Sequence, residues 1–193
     1  MEVLLEQTMD LEEIVDDVAG AVTRNPGGYH VTDLYAEAIS VATKKPIVPF
    51  DSDLMPGLAA MGRLWEWVII KSFNMNAKVS RILPAVEMHL GDIEANLDGL
   101  LIHTEDGSVA VAEAKCKFGN RFIKPWDMAK WMSQVKAYCK MANTRKVIFY
   151  VLYIMSGPPK CVPVAYHLEF TELEIHENWA MLQNTKKYME ENR

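Results

Sequence analysis

Apolar and polar residues follow different spacings along the chain, and the changes of spacing predict its elements. Near the N-terminus apolar residues recur every three or four positions, which predicts helices over residues 11–23, 31–43 and about 55–73. The Asn-Pro-Gly-Gly stretch at 25–28 breaks the chain between the first two helices. We therefore expect an N-terminal helical cap over residues 1–50 and a core over residues 51–193, together forming one compact domain.

Alternating and dense apolar runs predict a β-sheet in the core. Pro84 interrupts the first of these runs, and the β-branched and aromatic run at 147–153 is typical of a central strand covered on both faces. A helical pattern covers about 125–142, and Thr171 with Glu174 forms a capping box that begins a last helix. This order predicts an α/β (α+β) fold with a mixed central β-sheet flanked by helices. Strands are predicted over residues 79–90, about 95–103, about 108–115, 146–155 and 162–170.

The two middle strands are joined through the Asp-Gly pair at 106–107, a strong signal for a two-residue hairpin turn. Under that turn Glu105 faces Ser108, and counting back along both strands sets Asp98 opposite Lys115. One face of the second hairpin strand carries only alanine, at positions 110, 112 and 114, so a helix can pack closely there. The hairpin is therefore predicted to hold its charged side chains on the other face.

Asp98, Glu113 and Lys115 form a charged cluster at the end of an otherwise apolar face of this hairpin. Asp98 and Glu113 are predicted to be diagonal neighbours, roughly 7–8 Å apart at the backbone. Both carboxylates can then reach one divalent cation at about 2.0–2.1 Å per ligand. Charges at the end of an apolar face are poorly placed unless they pair or bind something. The cluster predicts a metal site that cuts phosphodiesters, and a structural salt bridge between Asp98 and Lys115 is the main alternative.

Composition limits the classes of protein that fit. The chain has 193 residues, half of them apolar, with no run of about eighteen apolar residues and no signal-peptide pattern. We therefore expect a cytoplasmic protein with no membrane partner. The three cysteines are widely spaced, and the five histidines form no short-spaced ligand pair. Neither a disulfide framework nor a zinc or iron–sulfur site is indicated.

The net charge of −6 is unevenly distributed along the chain. Residues 115–146 hold nine bases and one acid, a charge of +8, which leaves −14 for the rest. Phosphate backbones are held by such local patches, whatever the global charge. A lysine-rich solvated helix face, or aromatic side chains buried in the core, would give part of the same signal. The stretch predicts a nucleic-acid contact through Lys117, Arg121, Lys124 and Lys130, with Phe118 and Phe122 stacking on a strand end.

The order helix, three strands, helix, strand, with Asp98 on the second strand and Glu113-Ala114-Lys115 on the third, resembles the PD-(D/E)xK nuclease superfamily over roughly residues 55–153. Within it the chain most resembles the RecB-type and lambda-exonuclease or YqaJ-type branch, which adds Gly-x-x-x-Glu on the first helix and Gln-x-x-x-Tyr on the second. Here these motifs run from Gly62 to Glu66 and from Gln134 to Tyr138. Residues four apart share a helical face, so the missing side chain of Gly62 would let another backbone approach beside Glu66.

The resemblance implies a restriction-endonuclease-like core with an N-terminal helical extension, although Leu97 stands where some members have proline. Asp98, Glu113 and Glu66 would bind one or two Mg²⁺ or Mn²⁺ ions, with the Ala114 carbonyl as a further ligand. Lys115 would orient the attacking water and stabilise negative charge in the transition state. Gln134 and Tyr138 would position a phosphate or support the metal site and complete the implied catalytic set, with ordinary helix packing as the alternative.

The expected function is a metal-dependent DNA nuclease, favoured as an exonuclease in recombination or repair, of viral (phage) or mobile-element origin and then acting in the host cytoplasm. We expect DNA as the partner, as duplex ends or single strands, and leave open a homo-oligomer or a recombination partner protein. Three alternatives stay open. They are a structure-specific or restriction-type endonuclease, a catalytically inactive nucleic-acid binding module, and an interaction protein whose acidic N-terminal helices bind a partner.

Overall fold

A computed structural model of the chain describes residues 28–47, 62, 64–69, 80–103, 105–119, 121–155 and 160–192. The helix predicted over 11–23 lies outside these residues, as does most of the helix predicted over 55–73. Of the latter, residues 62 and 64–69 are helical, and we call the second piece segment 64–69. The division of the chain into a cap and a core at residue 50 remains a prediction.

The remaining elements follow the predicted order with small changes at their ends. The helix expected over 125–142 begins as a 3₁₀ turn, and the last helix begins with the predicted capping box, in which Thr171 and Glu174 satisfy each other's backbone N–H groups. The elements are β1 (Tyr29–His30), α1 (Val31–Thr43), β2 (Ser80–Leu90), β3 (Ile93–His103), β4 (Val109–Gly119), the 3₁₀ turn (Pro125–Asp127), α2 (Ala129–Met141), β5 (Lys146–Met155), β6 (Lys160–Glu169) and α3 (Glu172–Glu191).

The strands form one mixed sheet in the order β1-β3-β4-β5-β6, and β2 also pairs with β3. The pairs β1–β3 and β4–β5 are parallel, whereas β2–β3, β3–β4 and β5–β6 are antiparallel. Residues 147–151 of β5 are all buried, as expected of a central strand covered on both faces. The predicted fold class, a mixed central sheet flanked by helices, is confirmed.

Pro84 does not interrupt its strand, contrary to the sequence-based expectation. β2 continues through this position, where Pro84 pairs with Gly99 of β3. Among the described strands, β2 pairs with β3 alone, and a strand at the edge of a sheet tolerates the missing N–H of proline.

Two apolar layers cover the two faces of the sheet, and successive residues of β4 and β5 alternate between them. The larger layer packs α1, α2 and α3 on one face, and the smaller packs segment 64–69 on the other. The three alanines of β4 lie in the smaller layer against Ile69, which agrees with their predicted contact with a helix. The strand residues of the larger layer include Val111, Phe149, Val151 and Tyr153, and those of the smaller include Ala110, Ala112, Ala114, Ile148 and Tyr150.

The hairpin between β3 and β4 has a longer turn than predicted. His103 donates to the Ser108 carbonyl at 2.9 Å, so His103, and not Glu105, faces Ser108. The Asp106 side chain accepts from the Ser108 N–H at 2.8 Å, and Gly107 adopts a φ of +68° that favours glycine. This turn moves the pairing by two residues. Because the shift is even, the paired residues, 99–102 with 109–112, keep their predicted faces of the sheet.

Within the described part of the chain, no helix is both long enough and apolar enough to span a bilayer.

Candidate metal centre

The strands β3 and β4 stop pairing at the residue that carries the first carboxylate. Their last backbone pair is Gly99 with Ala112, and one further step would set Asp98 opposite Glu113 instead of opposite Lys115. At that step the Asp98 Oδ2 atom accepts from the Ala114 N–H at 2.7 Å. The carboxylate therefore occupies the position of a backbone acceptor and is fixed between the two strands.

Gly99 allows this arrangement because β2 passes very close to it. A Cβ atom at Gly99 would lie 2.6 Å from the Ile82 Cγ2 atom and 3.1 Å from the Leu83 carbonyl oxygen. The first distance is far below a normal contact, and a branched Ile82 side chain cannot swing away cheaply. The neighbour of Asp98 is therefore restricted to glycine by packing. Sequence reasoning had attached no importance to Gly99.

Glu113 and Lys115 project from the same face of β4 and form an ion pair. The Glu113 Oε1 atom accepts from the Lys115 ammonium, and the Glu113 side chain is fully buried whereas that of Lys115 is 23% exposed. The other oxygen, Oε2, is buried, and no described residue donates a hydrogen bond to it. A buried, unsatisfied carboxylate oxygen is costly unless something else binds it. Oε2 is therefore a buried oxygen that no described donor satisfies, in a side chain for which a cation ligand is expected.

The electrostatics of the cluster favour an added positive charge. Burial, and then the neighbouring Asp98 carboxylate, raise the pKa of Glu113 to about 8. Burial also raises the pKa of Asp98, although the Lys115 charge and the Ala114 N–H oppose it. Burial lowers the pKa of Lys115, but attraction to Glu113 and Asp98 outweighs it, so that this pKa lies above its usual value. Two crowded carboxylates thus share one ammonium, and a divalent cation would relieve their repulsion.

A small cavity is lined by Asp98, by Glu113 and by a third acidic residue. Its volume of about 10 Å³ is close to the smallest that admits a water molecule. Glu66 lines it from segment 64–69, which the Trp65 indole anchors by donating to the Tyr150 carbonyl at 3.4 Å. The Glu66 charge contributes to the raised pKa of Glu113, so the two carboxylates interact. The lining residues are Glu66, Ile69, Ile82, Asp98, Ala112, Glu113, Ala114 and Tyr150.

The donor set of this cavity fits a hard divalent cation. Three acidic residues line a space of about the size of one ion, and oxygen ligands are those that Mg²⁺ and Mn²⁺ prefer. The close backbone approach expected at Gly62 stays a prediction. Apart from its chain neighbours and its own helix, no described atom lies within 4 Å of a Cβ atom built there.

Tyr138 and Gln134 support the strand that carries Asp98. The Gln134 amide donates to the Tyr138 hydroxyl at 2.6 Å, and that hydroxyl donates to the Asn96 carbonyl of β3 at 3.1 Å. Tyr138 is almost fully buried in the larger apolar layer, and its acceptor Asn96 is two residues from Asp98 along β3. These contacts are compatible both with the implied support of the metal site and with the alternative of ordinary helix packing, so the role of the pair stays a prediction.

The basic residues predicted to bind nucleic acid follow β4 towards the start of α2. Lys117 is half-buried on β4 and pairs with Tyr153 of β5. Arg121, Lys124 and Lys130 are exposed on the connection and on the first turn of α2. The structure thus gathers these bases on the connection that leaves the strand of Glu113 and Lys115.

A second group of potential metal ligands was not predicted. The ligand atoms of Glu87, His89 and Glu94 lie within 4.8 Å of one another. His89 pairs with Glu94 across β2 and β3, and Glu87 lies two residues earlier on the same face. The His89 ring already faces both carboxylates, with its Nε2 atom 3.3 Å from Glu87 and its Nδ1 atom 3.9 Å from Glu94. The tight turn at 91–92 was the sequence signal that could have revealed this cross-strand group.

Comparison with known proteins bears on the fold. No family model and no curated protein matches the chain. The alkaline exonuclease LHK-Exo from Laribacter hongkongensis is similar, with a TM-score of 0.55 and 10% identity over 95% of this chain and 94% of that one. LHK-Exo in complex with dAMP gives a TM-score of 0.56 and 11% identity over 86% and 89%. The structure of SSO0001 gives a TM-score of 0.50 and 16% identity over 92% and 84%. The chain therefore has the fold of an alkaline exonuclease.

Proposed function

We propose that this chain is a Mg²⁺- or Mn²⁺-dependent deoxyribonuclease, an exonuclease of the RecB-type and lambda-exonuclease branch of the PD-(D/E)xK superfamily that acts in recombination or repair. The observation that carries the proposal is the Glu113 carboxylate, which is fully buried with its Oε2 atom unsatisfied, in a residue that lines one small cavity together with Asp98 and Glu66. Burying such a charge is unfavourable for the fold alone. A bound cation would offset the unfavourable free energy of burying this carboxylate.

The surroundings of the cavity support a phosphodiester substrate. Lys115 extends from the buried pair towards solvent, and the basic residues Arg121 and Lys124 are exposed beyond it. A negatively charged backbone would be attracted to this side of the molecule. The fold shared with an alkaline exonuclease, which has been crystallised with dAMP, supports DNA as the substrate class.

Each residue of the site has a task in this proposal. Asp98, Glu113 and Glu66 hold the cation, and the Ala114 carbonyl is a further ligand beside them. A bound Mg²⁺ or Mn²⁺ would polarise the scissile phosphate and lower the pKa of an attacking water. Lys115, held by Glu113, orients that water and stabilises the negative charge that develops on the phosphate. Tyr138 and Gln134 keep Asp98 in register by fixing Asn96.

The test is a set of digests of linear duplex, linear single-stranded and closed circular DNA, each with Mg²⁺, with Mn²⁺ and with chelator. Mononucleotides released from linear DNA alone support the exonuclease. Nicks in the circle would instead indicate a structure-specific or restriction-type endonuclease with the same site. DNA binding without any metal-dependent cleavage would contradict the enzyme and leave an inactive binding module.

Two variants connect any cleavage to the cavity. Glu113→Gln removes the buried charge and should abolish cleavage. Glu169→Gln is the matched control. Glu169 is an exposed carboxylate at the end of β6, outside the cavity, and it forms an ion pair with Arg145. Full activity in Glu113→Gln, or equal loss in both variants, would contradict the assignment.

A further inference from the structure

Exposed aromatic side chains are concentrated in one short connection of the chain. The described aromatic residues with the most exposed side chains are Phe118, Phe122, Trp126 and Tyr188, and the first three lie within nine residues of each other. Phe122 and Trp126 are 52% and 50% exposed. Neighbouring exposed apolar side chains form a patch of the kind that marks a binding surface. We call these two residues the aromatic platform.

Both rings of the platform pack against side chains of the sheet. The Phe122 ring meets Tyr153 at 4.7 Å with the planes 64° apart, and the Trp126 ring meets Tyr166 at 5.6 Å and 85°. The Tyr153 hydroxyl also donates to the Ile123 carbonyl at 2.7 Å. Edge-to-face contacts of this kind fix both rings while about half of each remains exposed. Rings fixed in advance lose little entropy on binding a flat partner.

The charge around the platform selects an anionic partner. The Lys124 ammonium lies 5.1 Å from the centre of the Trp126 ring, and Arg121 and Lys130 are exposed on either side. Asp127 is the single acid between residues 115 and 146. A ligand that combines flat rings with regularly spaced negative charges satisfies both features, and a nucleic-acid strand has that chemistry.

The platform also lies next to the candidate metal centre. Tyr153, which supports Phe122, pairs with Lys117 on β4, two residues beyond Lys115 on the same face of the sheet. Two residues along a strand span roughly 6.6 Å and one step across the sheet about 4.8 Å. The backbone of Tyr153 is therefore on the order of 8 Å from that of Lys115. The Phe122 ring lies 4.7 Å beyond the Tyr153 ring, so the platform begins roughly two to four nucleotides of a stacked strand from Lys115.

We propose that Phe122 and Trp126 stack on one or two bases of the DNA strand, a few nucleotides from the scissile phosphate, while Lys124 neutralises the adjoining phosphate. The platform would hold the strand in register with the metal centre regardless of sequence, because every base has a face that can stack. This inference rests on the proposed function for the identity of the strand. Its test needs no cleavage.

The test is a binding scan with single-stranded oligonucleotides in chelator, in which one abasic nucleotide is moved along the strand. The wild-type protein should bind most of these oligonucleotides with equal affinity. Its affinity should fall roughly 5- to 150-fold when the abasic nucleotide lies at the platform, since each stacked base contributes about 1–3 kcal/mol. Trp126→Ala should bind the intact strand more weakly by the same factor. In this variant the abasic nucleotide at that position should cause no further loss of affinity. Trp126→Phe keeps a ring and should restore both.

Two further variants separate stacking from charge and from folding. Lys124→Ala should lower the slope of log affinity against log salt by about 0.7, whereas Trp126→Ala should leave that slope unchanged. Tyr188→Ala is the matched control, because Tyr188 is 42% exposed on α3, outside the basic stretch. It should bind every strand as the wild type does.

The outcomes separate this proposal from the proposed function. A flat abasic profile in the wild type overturns the platform, even if the protein cleaves DNA. A clear profile in a protein that never cleaves with Mg²⁺ or Mn²⁺ supports the platform and counts against the nuclease. Binding to anionic lipid vesicles that exceeds binding to every oligonucleotide, and that is lost in Trp126→Ala, would overturn the platform and assign this surface to a membrane.

Discussion

Replacing Glu113 by glutamine removes the charge of the most buried carboxylate without changing its shape. The pKa of this carboxyl moves from 4.5 to about 8, first because of burial and then because of Asp98. At about 1.4 kcal/mol per pH unit, keeping the group ionised in the folded state above pH 8 costs up to about 5 kcal/mol. A neutral glutamine avoids this cost. We therefore expect Glu113→Gln to be more stable than the wild type in chelator at pH 9.

The direction of the pH dependence follows from the same pKa. Because the folded-state pKa lies above the unfolded value of 4.5, the folded protein binds this proton more tightly. The stability that the group contributes is fully present below pH 4.5 and is lost as the pH rises to about 8. The free energy of unfolding of the wild type should fall over this window relative to that of Glu113→Gln, and the two should converge near pH 5.

Urea unfolding measures this difference at a series of pH values, with and without Mg²⁺ or Mn²⁺. The metal should stabilise the wild type by about 2.7 kcal/mol at one hundred times its dissociation constant and leave Glu113→Gln unchanged. The exposed control Glu169→Gln should change stability by less than about 1 kcal/mol. If Glu113→Gln is less stable than the wild type at pH 9 in chelator, the carboxylate stabilises the fold by itself and the reasoning is refuted.

Three other changes test the surroundings of the site. Tyr138→Phe leaves the Asn96 carbonyl without its buried donor, so it should destabilise the fold by about 1–3 kcal/mol and lower the cleavage rate. An unchanged midpoint of urea unfolding together with an unchanged cleavage rate would contradict a supporting role for Tyr138. Gly99→Ala should cost about 1–3 kcal/mol because its Cβ atom meets Ile82. Gly62→Ala should gain up to about 1 kcal/mol as a helical substitution with no described atom near its Cβ, and unfolding curves that rank the two variants otherwise would count against the packing described. Arg121→Glu should weaken DNA binding by a factor that grows as the salt concentration falls, and should reduce the slope of log affinity against log salt by more than one unit. A slope equal to that of the wild type would exclude a phosphate contact.

The hairpin shows what can be predicted from residue patterns and what cannot. Alternation placed Asp98, Glu113 and Lys115 on one face, and they lie together in the structure. The register was wrong by two residues because the Asp106 side chain accepts from Ser108 and lengthens the turn. A pattern of period two is insensitive to an even shift, so the residues paired at 99–102 and 109–112 keep their predicted faces in spite of the incorrect pairing.

Other parts of the site depend on contacts between distant elements. The close approach of Ile82 to Gly99 and the bond from Tyr138 to the Asn96 carbonyl join residues far apart in the chain. The spacing of Gln134 and Tyr138 predicted a shared helix face but not the strand that this face would meet. The ion pair of Lys115 is likewise with Glu113, its neighbour on β4, and not with Asp98 as the salt-bridge alternative supposed. Local periodicity carries no information about such tertiary partners.

The central claim is that the carboxylates of Asp98, Glu113 and Glu66 bind a divalent cation, and Mn²⁺ titration followed by electron paramagnetic resonance of the free ion tests it most directly. The variant His89→Ala is the essential control, because it removes the histidine of the second ligand group while leaving the cavity intact. We expect wild type and His89→Ala to take up the same one or two ions per chain and Glu113→Gln to lose them. Uptake that survives in Glu113→Gln but disappears in His89→Ala would contradict it.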